Sequence, residues 1–212
     1  MPGVSFLLPI WFDLAAVFLF ALTGAWAASR RGYDVVGAFL LAFVTGVGGG
    51  LLRDGIFLQE IPAVMRDARF LWMVLAALVV AALAQRLADR FEPLLAYVDA
   101  AAIGAYAVYG ANKSLVAGVP PEAAVLVGLC NAVGGGLLRD VLVREEPLLL
   151  KPGQLYFLAT LVGCIGFVVM SHTYGVDVEL AAYSAIAVTM LLRVLAIRFN
   201  WRTTAFGLRK RP

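Results

Sequence analysis

Charge is scarce in this sequence, and the scarcity identifies its solvent. Asp, Glu, Lys and Arg make up 15% of the chain and hydrophobic residues 62%, where soluble domains carry roughly 25% and 45–50%. The shortage runs along the whole chain, which excludes a soluble domain carrying one anchor. Histidine is nearly absent, and His172 has no partner at metal-ligand spacing. The two cysteines, Cys130 and Cys164, lie inside apolar runs and read as small apolar filler. No basic stripe with interleaved aromatics occurs, so nucleic acid is not expected as a partner. Activated Ser or Cys arrangements, a His/carboxylate cluster and a phosphate loop are missing too, so neither an enzyme, a cofactor nor a metal site is expected. Residues 1–12 hold no Lys or Arg. A signal peptide needs a basic start, so Ala25-Trp26-Ala27 is not read as a cleavage site.

What is abundant is apolar sequence in lengths that cross a bilayer, about 20 residues each. Seven such segments occur, at 9–29, 35–58, 70–88, 94–115, 121–143, 154–172 and 178–198. The fold class expected is an all-α membrane protein of seven transmembrane helices, forming one membrane domain over 1–212. Seven spans put the termini on opposite sides. With the C-terminus inside, Arg30, Arg31, Arg86, Arg90, Arg144, Lys151, Arg198, Arg202, Arg209, Lys210 and Arg211 are cytoplasmic. Only Arg66, Arg69 and Lys113 are then outside. The positive-inside rule favours this orientation, with the N-terminus out.

The chain also repeats itself. VGGGLLRD occupies 47–54 and again 133–140, an offset of 86. Without a gap, Asp13 aligns with Asp99, Gly24 with Gly110, Ala25 with Ala111 and Gly32 with Gly118. Seventeen of the 42 positions from 13 to 54 are identical. Downstream, Glu60-Ile61-Pro62 matches Glu145-Glu146-Pro147 after a one-residue deletion. The first copy covers about 10–90 and the second about 94–173. A seventh helix at about 178–198 and a basic tail at 199–212 follow. Three spans per copy make the second enter from the opposite face, a 3+3 inverted repeat with one helix appended. Such repeats typify transporters with sites at interrupted helices near the midplane.

Three successive glycines cost about 1 kcal/mol each in helix propensity, so Gly48, Gly49, Gly50, Gly134, Gly135 and Gly136 need a use. Close helix packing is one. A kink or local unwinding that turns carbonyls toward a wet cavity is the other. Arg53, Asp54, Arg139 and Asp140 follow at a depth where charge is costly unless paired or wet. Neighbours on a helix diverge, so Arg53 is expected to bond outside its own dipeptide. Asp140 across the pseudo-two-fold, or a carboxylate on its own side, would serve. These pairs either brace the helices or form charged constrictions of a pore. Asp13 and Asp99 are a second symmetric pair, read as helix-start carboxylates on a face packed against the glycine helices. Thr45 and Asn131 are equivalent and could line a polar cavity. Lys113 breaks the symmetry, since Ala27 is its counterpart; it would sit at the outer mouth or reach into a cavity. Arg193 is close enough to the inner face to snorkel.

A small three-plus-three-plus-one membrane protein with GGG-x-x-R-D in its second and fifth helices resembles the prokaryotic branch of the trimeric intracellular cation channel family. The resemblance covers roughly residues 10–200, and its carriers are Gly48–Asp54 and Gly134–Asp140. It implies a homotrimer in a prokaryotic inner membrane, with a pore in each subunit that conducts potassium and also sodium among membrane lipids. It also implies that the triple glycines kink the two helices beside the pore. Animal members bind phosphoinositide through a basic cluster near the fourth helix; Lys113 is the only basic residue there, so that site is not carried over. Bacterial sequences of this type are also grouped as glycine transporters, and a carrier for glycine or another small solute is the alternative. No TVGYG-type filter is present, so sharp potassium selectivity is not expected.

Overall fold

The computed structural model describes residues 7–85, 92–150 and 156–201, with side chains from residue 96 in the second stretch. Arg86, Arg90, Lys151 and the tail basic residues Arg202, Arg209, Lys210 and Arg211 lie outside the described residues. The described chain is helical: α1 (Trp11–Arg30), α2 (Val35–Leu51, continued by a π turn Leu52–Phe57), α3 (Ala63–Arg66), α4 (Arg69–Leu83), α5 (Glu92–Val116), α6 (Pro121–Leu142), α7 (Tyr156–Val168, continued by a π turn Val169–Thr173) and α8 (Val178–Arg198). It is an all-helical membrane protein. Five of the helices are long and apolar enough to cross a membrane: α1, α2 with its π turn, α6, α7 with its π turn, and α8. Helix α4 has 15 described residues, about 22 Å at 1.5 Å per residue. Helix α5 is longer, at 25 residues.

Local chemistry sets the helix ends. Asp34 caps α2 by accepting from the Gly37 N–H at 2.7 Å, and Asp177 caps α8 through Leu180 N–H at 2.9 Å. Pro121 opens α6, where its missing N–H costs nothing. Asp67 accepts from the backbone and side chain of Arg69 at the start of α4, and that pairing holds its carboxyl below the usual range.

The repeat is visible in the turns. Gly32 and its counterpart Gly118 both take positive φ, at 70° and 84°. Tyr33 N–H bonds Ala28 O and Gly32 N–H bonds Ser29 O; Val119 N–H bonds Ser114 O and Gly118 N–H bonds Leu115 O. These are the same Schellman closures 86 residues apart, and they need a residue at ease in the left-handed region. The one-residue difference between copies also has a place. A π turn accommodates one extra residue; it begins inside the first motif, at Leu52–Phe57, whereas α6 stays α-helical to Leu142.

Within each copy the first and second helices pack together, α1 on α2 and α5 on α6. The copies join through α1 against α5 and α2 against α6. Phe20 and its counterpart Tyr106 meet with tilted rings, centroids 5.3 Å apart, which puts them beside the pseudo-two-fold. Helix α8 lies against α5 and α7.

Candidate functional site

The two glycine runs meet each other. A Cβ on Gly49 would run into the Asn131 carbonyl, and one on Gly135 into the Thr45 carbonyl. A Cβ on Gly48 would lie 2.7 Å from Leu138 Cδ1, and one on Gly134 2.7 Å from Leu52 Cδ1. Every contact recurs with the copies exchanged. As one helix advances the other recedes, so α2 and α6 cross antiparallel. Both glycine runs stay α-helical, and the contact seen at them is close packing of one helix on the other. Glycine suffices because it lets one backbone touch another without opening either.

Thr45 and Asn131 flank this crossing and are fully buried. Thr45 bonds its own helix, Oγ1 to Leu41 O at 2.6 Å. Asn131 donates to Tyr106 O at 2.7 Å, and Tyr106 in turn donates to Gly46 O at 2.6 Å. These bonds tie the helices together at the centre. The two residues sit on either side of the crossing, buried in packed protein.

The charged ends of α2 and α6 point away from the crossing in opposite directions, which yields two clusters. In the first, Arg53 spans two carboxylates. It donates to Asp54 at 2.6 and 3.1 Å and to Asp13 on α1 at 3.3 and 3.0 Å. Its guanidinium also lies over the Tyr109 ring, 5.1 Å from the centroid. Asp54 further accepts from Ala63 N–H at 3.0 Å and from Lys113 Nζ at 2.8 Å. The lysine reaches Glu60 at 3.3 Å as well. Asp13, Arg53 and Asp54 are at most 1% exposed. The space left beside them is about 10 Å³, room for about one water.

The second cluster uses the same parts differently. Arg139 donates to Asp140 at 2.9 Å, and Asp140 accepts from Leu148 N–H at 3.0 Å, the counterpart of Ala63 after the deletion. Arg139 stands 3.8 Å from Asp99, while its Nη1 donates to Thr23 Oγ1 at 2.9 Å. Ala27 occupies the place of Lys113, and a void of about 100 Å³ opens there beside Arg139, Asp140 and Glu145. Arg31 pairs with Glu145 at its rim.

The structure revises several sequence expectations. Each arginine does bond the aspartate next to it, because a long guanidinium folds back; Arg53 also bonds Asp13 on another helix, while Arg139 stops 3.8 Å short at Asp99. Arg53 does not reach Asp140; each motif pairs on its own side. Asp99 lies seven residues after Glu92, inside α5, so it is no helix-start carboxylate. Arg193 does not snorkel. It is fully buried, 4.6 Å from the Tyr156 ring centroid. The signal was legible, since Ala182, Ala185, Thr189 and Ala196 place Arg193 on the small-residue, packed face of α8. Thr23, a polar residue within the first span, and Glu60, part of the repeat, join these clusters, as do the tyrosines Tyr106, Tyr109 and Tyr156, which nothing in the sequence marks out.

A family model described as "Glycine transporter" matches residues 10–86 and again 96–172. The chain belongs to that family. The two matches start 86 residues apart, the offset of the motif. Among relatives, a UPF0126 inner membrane protein, YadS, of Escherichia coli K12 is 31% identical over 95% of this chain and 98% of its own. A UPF0126 membrane protein of Deinococcus radiodurans is 38% identical over 72% of each. Among solved structures, a TRIC trimeric intracellular cation channel orthologue from Rhodobacter sphaeroides superposes with TM-score 0.80 at 33% identity, covering 90% of this chain and 97% of that one. A TRIC cation channel superposes at 0.82 and 26% identity, covering 96% and 100%. The resemblance read from the glycine motif and the solved neighbours therefore agree.

Proposed function

We propose that this protein is a passive channel for monovalent cations, potassium and also sodium, with a path inside each subunit of a homotrimer. Its seven longer helices span the membrane as a 3+3 inverted repeat plus α8, with the N-terminus outside and the cytoplasmic side basic. Two observations on α2 and α6 support the reading. Their antiparallel crossing is made of equivalent residues, and each carries a buried Arg–Asp cluster away from it. The likeness to TRIC cation channels over nearly the whole chain supports it further.

In this reading the first cluster is the outer constriction and the second the inner one. Asp13, Asp54, Asp99 and Asp140 supply negative charge along the route. Arg53 and Arg139 set how much of that charge faces a passing ion, and Lys113 occupies the outer constriction. The glycine crossing holds the two constrictions in register, and Thr45 and Asn131 brace it. Ions move on opening of the clusters, because the outer one is closed to all but a water. Nothing in this arrangement assembles a nucleophile, base and oxyanion donors, so no chemistry on a substrate is proposed.

The family model's own description favours one second reading, a carrier for glycine or a similar small solute. A bilayer recording separates the two. Purified protein under a potassium gradient should give unitary currents without organic solute. Saturable uptake of labelled glycine into vesicles, in the absence of such currents, would replace the channel by the carrier.

A further inference from the structure

Helix α8 stands outside the duplicated unit, so the first copy has nothing equivalent to it. It is firmly seated, with Thr189 packed against Gly163 of α7 and 3.4 Å from a Cβ built on Gly104 of α5. One turn further on, Arg193 enters the second cluster. Its guanidinium lies on the Tyr156 ring and within electrostatic reach of Asp99. Among the described residues, none of its three nitrogens donates a hydrogen bond and neither oxygen of Asp99 accepts one of normal geometry. Both residues are buried, at 0% and 4% exposed. The Tyr156 hydroxyl stands against Asp99, but opposite charges withdrawn from water with no direct hydrogen bond between them are costly, so this half of the molecule is held away from its best pairing.

The first cluster shows what that pairing is. Asp13, the counterpart of Asp99, takes two hydrogen bonds from Arg53. Arg139 leaves Asp99 at 3.8 Å and bonds Thr23 instead. The sequences of the motifs are identical, so the motif does not explain the difference. Arg193 is the cation that the second half has and the first half lacks at this carboxylate.

We propose that Arg193 is a positioning residue that competes with Arg139 for Asp99, keeps the Asp99–Arg139 latch unfastened, and thereby holds open the void beside Arg139 and Asp140. The void lies between Ala27, Val143 and Glu145, so its state can be read without any current. Its link to conduction rests on the channel reading above; the competition itself does not.

The test places a single cysteine at Ala27, with Cys130→Ala and Cys164→Ala removing the native thiols. A cationic methanethiosulfonate reagent then probes the void in detergent-solubilised protein. Arg193→Gln should slow labelling about tenfold, the effect of roughly 1.4 kcal/mol, as Arg139 swings onto Asp99. Adding Asp99→Asn to Arg193→Gln should restore the rate, because the amide no longer holds Arg139. Arg193→Lys, which keeps the charge, should label like the parent and serves if the glutamine variant does not fold. An unchanged rate in Arg193→Gln, no recovery in the double variant, or slow labelling in Arg193→Lys would each overturn the proposal. Parallel recordings should show open probability following the labelling rate. Absence of current in the parent protein would remove the channel reading and leave the labelling result standing.

Discussion

At the scale of the residue, the glycines of the motif are not equivalent. Gly49 and Gly135 each face a carbonyl of the opposing helix, and backbone cannot step aside for a methyl group. Gly50 has nothing nearer to a Cβ than the far end of Arg53, at 3.7 Å. Gly49→Ala and Gly135→Ala should therefore destabilise by about 3 kcal/mol or more, at the top of the overpacking range. Gly50→Ala should be neutral or better, because it gains helix propensity of up to about 1 kcal/mol. Thermal unfolding in one detergent checks all three; equal loss at Gly49 and Gly50 would mean that the run acts through helix flexibility instead of contact. The arginines differ in the same way. Arg53→Ala strands Asp13 and Asp54 in a buried setting, a change that costs about 3–5 kcal/mol for broken buried pairs. Arg139→Ala should cost less, since Arg139 is 9% exposed and already loose from Asp99. The sequence identified these residues because charge and triple glycine stand out in apolar surroundings. It did not say which glycine touches which carbonyl, because that depends on the crossing of α2 and α6.

At the scale of the element, the duplicated unit was legible and its ends were less so. Identity at an offset of 86 carried α1, α2, α5 and α6 into view, with Gly32 and Gly118 closing the first helix of each copy. The π turn at Leu52–Phe57 was not legible, although its cause was visible as the one-residue gap between the copies. A gap can fall in a loop or be absorbed by a widened helical turn, and only backbone hydrogen bonds decide. Leu58 N–H bonds Arg53 O and Glu60 N–H bonds Asp54 O, so the widened turn, which starts at Leu52, takes in the charged pair itself. Both copies then end on a non-glycine residue in the left-handed region, Gln59 at φ 52° and Arg144 at φ 56°. An L-residue there costs about 1–2 kcal/mol. Gln59→Gly should recover up to about 1 kcal/mol, as expected for glycine just past a helix end. A raised melting temperature with unchanged transport would show that the strained turn has no further use. A higher melting temperature accompanied by loss of transport would tie the strain to function. The burial of Arg193 is hidden for a related reason: nearness to a helix end suggests an escape to water, and it is the small-residue face of α8 that denies it.

At the scale of the molecule, two halves built from one sequence pattern have come to rest differently. The half holding Asp13, Arg53 and Asp54 is fastened and nearly dry; the half holding Asp99, Arg139 and Asp140 is loose and open to a void ten times larger. Part of the difference lies in one aligned pair, Lys113 and Ala27. The ammonium of Lys113 lies on Asp54 and Glu60, and the methyl of Ala27 lines the void beside Asp140 and Glu145, the same two carboxylates one copy later. If that pair sets which half is closed, exchanging its members should exchange the states. Lys113→Ala removes the ammonium that bridges Asp54 and Glu60, and it should raise cation conductance by letting the first cluster take up water. Ala27→Lys brings an ammonium to Asp140 and Glu145 and should lower conductance. The loss should ease as ionic strength rises, because the exposed part of that pairing is screened over about 10 Å at 0.1 M salt. The double variant, Lys113→Ala with Ala27→Lys, should restore current while reversing its rectification, since the tighter constriction now lies at the other end. Recordings on the three proteins at two salt concentrations read all of these outcomes. Rectification that keeps its sign in the double variant would show that Arg193, and not the Lys113–Ala27 pair, is the main source of the asymmetry.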